Sequence, residues 1–185
     1  MDLSKLSAPL RADQIEFRVQ SISKNGYAII LAYKDARCDM QRLDEVVGAL
    51  NWARSHRRDN RNCIVSIWDE KKGHWISKED TGTESNTEAE KGLASDSFKR
   101  ACFNWGIGRE LYDYPLIMIK LNDNEFDVVK NNKGKEIGRA TWDLKLKDWL
   151  WHNQFDDAGN LIYLGAKDTK GKLRFSFDER LKEEK

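Results

Sequence analysis

Lys99, Arg100 and Phe103 are the residues of this 185-residue chain whose types and spacing suggest a chemistry. On a helix, Phe103 lies four positions after Lys99 and three after Arg100, so the three side chains share one surface. Two cations beside an aromatic ring suit a polyanion that carries flat bases: the cations meet phosphates and the ring offers a stacking surface. The same pattern also describes a solvated charged face with Phe103 packed on a neighbouring element, the commoner origin of such spacings. Periodicity alone leaves both readings open. A second basic group stands at 54–61, where Arg54, Arg57, Arg58 and Arg61 surround His56 against one aspartate. It reads equally as a phosphate-contacting loop and as an ordinary soluble one.

Other chemistries find little support. His56, His74 and His152 lie far apart and show no metal-ligand spacing, so a zinc site is not expected. The nearest approach to a P-loop, 165–172, is followed by Leu173 where Ser or Thr must bind magnesium. Glu70-Lys71-Lys72 resembles half of a nuclease metal site, but three common residue types in a charged turn are explained by chance. No nucleophile elbow is present, and no cofactor is implied.

The elements that must position the cations follow from periodicity. Ala94, Phe98, Ala101 and Trp105, widened by Leu93 and Cys102, form one helical stripe opposite Asp96, Lys99, Arg100 and Phe103. Thr87 and Glu90 can make a capping box at its start, and Gly106 and Gly108 can end it in a left-handed turn. Upstream, Ile15, Phe17 and Val19 alternate with polar residues, and Asn25-Gly26 is a hairpin signal, which predicts a β-hairpin over 15–34. Asp39 can cap a helix bearing Met40, Leu43, Val46, Val47 and Leu50 that ends near Trp52. Strands are expected over 63–68 and 75–78, then a polar tract over 79–88 that leads to the cationic helix. Beyond Pro115 the chain offers short strand candidates at 116–121, 161–164 and 173–177. Polar sequence fills 122–140, and 142–151 is ambiguous between helix and strand. This order, without long parallel crossovers, indicates an α+β fold: an antiparallel sheet of the hairpin plus further strands, packed against the long helix, with a β-rich C-terminal extension. The expected division is a core domain over 1–118 and an extension of unassigned role over 119–185.

Hydrophobic content of 39% with 10% aromatics argues for a folded chain with a real core. Net charge is +1, so any site for nucleic acid must be a local patch. Cys38, Cys63 and Cys102 form no CxxC pair, which suggests reduced thiols and a cytoplasmic setting. No stretch reaches the apolar length of a membrane span, and none resembles a signal peptide.

The run from Glu90 to Tyr112, with its KG-x-x-SD-x-FKRA core and WGIGR-x-LY close, resembles the signature helix of the Rad fifty-two superfamily of single-strand annealing proteins. It is most similar to the bacterial and phage, DdrA-like branch. The resemblance covers roughly 6–115 and includes IEFRVQS, LAYKDAR and RLDEVVGALNW in the expected order. It tips the reading of the helix toward a nucleic-acid surface. The resemblance implies a non-enzymatic protein, acting in a bacterial or phage-infected cell, that binds single-stranded DNA. It implies annealing of complementary strands in recombination and double-strand break repair, without ATP or metal. It further implies a homo-oligomeric ring or helical arc. Lys99 and Arg100 match the family's basic pair and Arg109 lies in the turn that follows. Tyr33 and Arg37 match a post-strand tyrosine and arginine, while Phe103 replaces an arginine of eukaryotic members. The lysines that relatives place before this helix have no counterpart in 79–88. Two alternatives belong to other classes: a mediator that loads a recombinase or single-strand-binding protein, and a metal-dependent nuclease built on Glu70.

Overall fold

The computed structural model describes residues 2–83 and 89–181. Its regular elements are β1 (Glu16–Ile22), β2 (Tyr27–Tyr33), α1 (Ala36–Val47), β3 (Trp52–Arg57), β4 (Asn62–Asp69), β5 (His74–Thr81), α2 (Ala89–Asn104), β6 (Ile117–Lys120), β7 (Phe126–Lys130), β8 (Glu136–Ala140), β9 (Leu150–Phe155), β10 (Leu161–Lys167) and β11 (Leu173–Asp178). All strand pairs are antiparallel, and the α+β class holds. Among the described residues no helix is long and apolar enough to cross a membrane.

The chain forms two compact units that interleave in sequence. The first contains residues 1–10 and 34–109, the second 11–33 and 110–185. The hairpin over 15–34 therefore leaves the strands that follow it, and joins the C-terminal ones. The expected boundary at 118/119 falls inside β6, which pairs with β2.

In the first unit, β3, β4 and β5 form a sheet in that order. Period-2 alternation sends Cys63, Val65 and Ile67 of β4 to one face, where all three are buried. Leu43 and Val47 of α1 and Phe98, Ala101 and Cys102 of α2 close over them, with Leu6 from the N-terminal segment. The helices thus cover one face, and Trp75 on the other is 44% exposed. Gly82 follows β5 and lets α2 approach: a Cβ there would lie 2.6 Å from the Ser97 backbone nitrogen. The Thr87–Glu90 box falls outside the described residues.

In the second unit a five-stranded sheet, β6-β2-β1-β8-β7, faces a three-stranded sheet, β11-β10-β9. Ile22, Ala28, Ile30, Ile117 and Ile119 of the first meet Leu164 and Ala166 of the second, with Trp149 and Leu146 from the connecting segment. Two expectations change here. The polar tract 122–140 holds a hairpin, β7–β8, and the ambiguous 142–151 is a turn, one 3-10 turn and the start of β9. The Arg174 side chain is buried, ion-paired with Glu125 at 2.7 Å and Asp168 at 3.3 Å, and lies 4.7 Å over the Trp149 ring.

A chain ending at Met118 tests the interleaving. It would cut β6 and remove the side chains that cover Ile22, Ala28 and Ile30, the two isoleucines each worth roughly 1.5–3 kcal/mol when re-exposed. We expect the β1–β2 hairpin to lose protection, read by amide hydrogen exchange along 16–33 in the truncated and the 185-residue chains. Equal protection in the two would mean that the hairpin does not need these strands.

Candidate nucleic-acid interface

The candidate site is built around a residue that no motif singles out. Lys34, just beyond β2, is 1% exposed. Its ammonium donates to the Asp39 carboxylate, to the Lys99 backbone carbonyl at 3.3 Å, and lies 4.2 Å over the Phe103 ring. Three groups with negative potential thus share one buried cation. The turn after α2 wraps the same side chain. Gly108 has φ +73°, and a Cβ on it would stand 2.6 Å from Lys34 Cδ. Only glycine accommodates both that conformation and that contact.

Asp39 is therefore not the cap of α1. Asp35 fills that position and accepts the Arg37 backbone N–H at 2.7 Å. Asp39 is fully buried, and burial pushes its carboxyl up to about 6 against the pull of Lys34. Burial also pushes the neighbouring Cys102 thiol up, with Asp39 adding to the effect.

On the outer face of α2, Asp96, Lys99, Arg100 and Phe103 are all half-buried. The Arg100 Nε donates to Asp96 at 2.8 Å, with the arginine side chain 38% exposed. Burial raises the Asp96 carboxyl, but Arg100 and Thr83 outweigh it and hold it below the usual range. The Lys99 ammonium has no salt-bridge partner among the described residues, and its field reaches Asp35 and Asp39. Arg37 lies beside the same Asp35, ion-paired at 2.9 Å, with its side chain 85% exposed. Asp35 thus pairs with Arg37 and feels the field of Lys99. Phe103 offers a reduced stacking surface, since Lys34 occupies one face of the ring.

Arg109 has a structural task. Its guanidinium donates to the carbonyls of Phe103 at 2.8 Å and Asn104 at 3.3 Å. Lys78 Nζ donates to the Asn104 carbonyl at 2.6 Å. Two cations therefore satisfy the orphan carbonyls at the negative end of α2.

The basic stretch 54–61 is not one loop. Its first half is β3, so Arg54 and Arg57 point to opposite faces of the sheet. Arg54 lies 4.9 Å over the Phe98 ring on the helix side. Arg58 is exposed in the β3–β4 turn with φ +50°, and Arg61 closes that turn. The turn is tied to α2, because the Ser97 hydroxyl donates to the Asn60 carbonyl at 2.9 Å. Ser97 is one helical turn before Arg100, on the same side. Tyr33 belongs to the second unit: its hydroxyl donates to Glu16, and Arg18 lies 5.0 Å over its ring. Glu70 lies in the exposed β4–β5 turn, where Asp69 accepts the backbone N–H groups of Lys71 and Lys72. Among the described residues no three His, Cys, Asp or Glu side chains are placed to hold a metal ion.

Residues 3–128 match the family described as Rad52/22 family double-strand break repair protein. The single-stranded DNA-binding protein DdrA of Deinococcus deserti is 31% identical over 130 residues, 64% of this chain and 60% of the relative. DdrA of Deinococcus radiodurans is 30% identical over 114 residues, 60% of this chain and 54% of the relative. The chain thus spans between about half and two thirds of these curated relatives. No solved structure matches.

Lys34→Met should be costly, because it leaves Asp39 buried without its cation, at roughly 3–5 kcal/mol. The folded state holds the Asp39 proton more tightly than the unfolded chain does. The stability this confers is complete below the unfolded carboxylate value and lost as pH rises through about 6. Without Lys34 the carboxyl rises further, so the deficit should be larger at neutral pH than near pH 5. Replacing both partners, Lys34→Met with Asp39→Leu, should recover most of it. Urea midpoints at the two pH values decide.

Proposed function

The chain belongs to the Rad52/22 family of double-strand break repair proteins, and from that membership and the cationic outer face of α2 we propose that it binds single-stranded DNA and anneals complementary strands as a homo-oligomer. The observation that carries this reading is Lys99. It is a half-exposed ammonium on the helix that the family resemblance marks, without a salt-bridge partner among the described residues. Arg37 and Arg100 flank it, each held by a carboxylate that phosphate can displace or share.

Annealing requires that phosphates be held while base edges stay free to pair, and cation contacts along a backbone do this. It needs no ATP and no metal. With a net charge of +1, one subunit offers a modest patch. Repetition around an assembly joins such patches into a track by effective concentration. The first unit offers open surface for assembly: β3 and β5 are both sheet edges, and Trp75 lies on the face away from the helices. The relatives from Deinococcus are named as single-stranded DNA-binding proteins, which supports the choice of ligand.

Lys99→Ala with Arg100→Ala should abolish strand binding and leave assembly intact. The fold should persist, since the partly exposed Arg100–Asp96 pair contributes at most about 1 kcal/mol and Lys34 binds the Lys99 carbonyl, not its side chain. Gel shift and size exclusion read both outcomes, and unchanged affinity would refute the site. Fluorescent complementary strands mixed without ATP or divalent metal test annealing itself. Wild-type protein without intrinsic affinity would instead be a loader of another recombination factor. Magnesium-dependent loss of label, removed by Glu70→Ala, would indicate a nuclease.

Neutralising Arg57, Arg58 and Arg61 tests the turn separately. Each lost phosphate contact should flatten the plot of log affinity against log salt by about 0.7. An unchanged slope would remove the turn from the interface.

A further inference from the structure

The second unit holds an aromatic groove that neither the family match nor the resemblance to the signature helix assigns. Two open hollows of about 610 and 620 Å3 adjoin there, sharing Phe17, Leu146 and Lys147 in their linings. Phe17 stacks flat on Trp151, which lines the second hollow, with centroids 3.6 Å apart. Trp142 stands at the first hollow and is 92% exposed. It lies beyond residue 128, where the family match ends.

Trp142 is presented by a pinned turn. Thr141 donates its backbone N–H to the Glu125 carbonyl at 3.1 Å and its hydroxyl to the Asn124 carbonyl at 2.6 Å. On the other side of Trp142, Asp143 accepts the Asn124 side-chain amide at 2.9 Å. A large apolar ring held in water by a fixed backbone contributes nothing to this unit's core. The ring is open to a flat partner, on a backbone that the turn holds in place.

The charges identify that partner. Lys145 and Lys147 are exposed and have no salt-bridge partner among the described residues. The carboxylates of the linings are Asp148, Asp13 and Glu16. Asp13 is ion-paired with Arg11 at 3.0 Å, and Glu16 accepts the Tyr33 hydroxyl. We propose that this groove is a second contact for single-stranded nucleic acid, in which Trp142 stacks on a base and Lys145 and Lys147 meet the neighbouring phosphates. The choice of ligand rests on the strand-binding reading above; the site is separate from α2.

The test uses the 185-residue chain and a fluorescent oligothymidylate. Trp142→Ala should weaken binding at least about fivefold, the lower end for loss of one stacked base, while Trp142→Phe retains most affinity. Lys145→Ala with Lys147→Ala should flatten the salt dependence by about 1.4 for two lost phosphate contacts. An oligonucleotide carrying 5-iodouracil should photocrosslink to the peptide that contains Trp142. Wild-type affinity in Trp142→Ala, alongside loss in the Lys99/Arg100 double variant, would overturn the groove and spare the α2 site. Loss of affinity accompanied by a change in assembly size would also overturn it, since Trp142 would then be a subunit contact. Wild-type protein that binds no oligonucleotide would overturn both readings.

Discussion

A single buried lysine sets the terms for the first unit. Removing the Lys34 ammonium from water is expensive, and an isolated charge could not stay there. It stays because Asp39 of α1, a carbonyl of α2 and the Phe103 ring converge on it. That convergence fixes the approach of the two helices and the path of the turn through Gly108. Hydrophobic burial gives this unit most of its stability, yet apolar contacts alone would tolerate small slides of α2 over β4 and β5. A charge with one acceptable position tolerates far less.

The cations of the first unit divide into two sets. Arg109 and Lys78 are spent on the carbonyl end of α2, and Arg54 on the ring of Phe98. Lys99, Arg37 and Arg100 remain at the surface, the first without a salt-bridge partner among the described residues and the others in ion pairs at 2.9 and 2.8 Å. Exposed pairs of that kind are weak and exchange readily with another anion. A chain with nearly balanced charge can thus present a cationic strip without being basic overall.

Much of this was legible in the sequence where one rule dominates locally. The hairpin follows from alternation plus Asn-Gly, and the stripe of α2 from its period. The missed elements lack such signals. β3 carries Trp52, Arg54 and His56 on its helix side, long side chains that cover the core without reading as apolar alternation. β7 is a sheet edge with little to bury, so its residues look like loop. Asp39 had the right type and place for a cap, and only the third dimension shows Asp35 doing that work. Lys34 lay in a polar connection with no periodicity to mark it. Its partners lie on α1 and α2, and a burial of this kind is a property of the packed unit, not of local sequence.

The interleaved course of the chain has a consequence for its synthesis. The β1–β2 hairpin leaves the ribosome early, but β1 pairs with β8 through Ile22 and Gly138, and β2 pairs with β6. Its apolar face also needs Leu164 and Ala166, which are translated long after it. Residues 34–109, by contrast, can close their sheet and helices as soon as they emerge. The nascent chain therefore carries a finished unit beside an unfinished one for most of its elongation, with a sticky ribbon waiting near the N-terminus. Long sequence separation slows that closure.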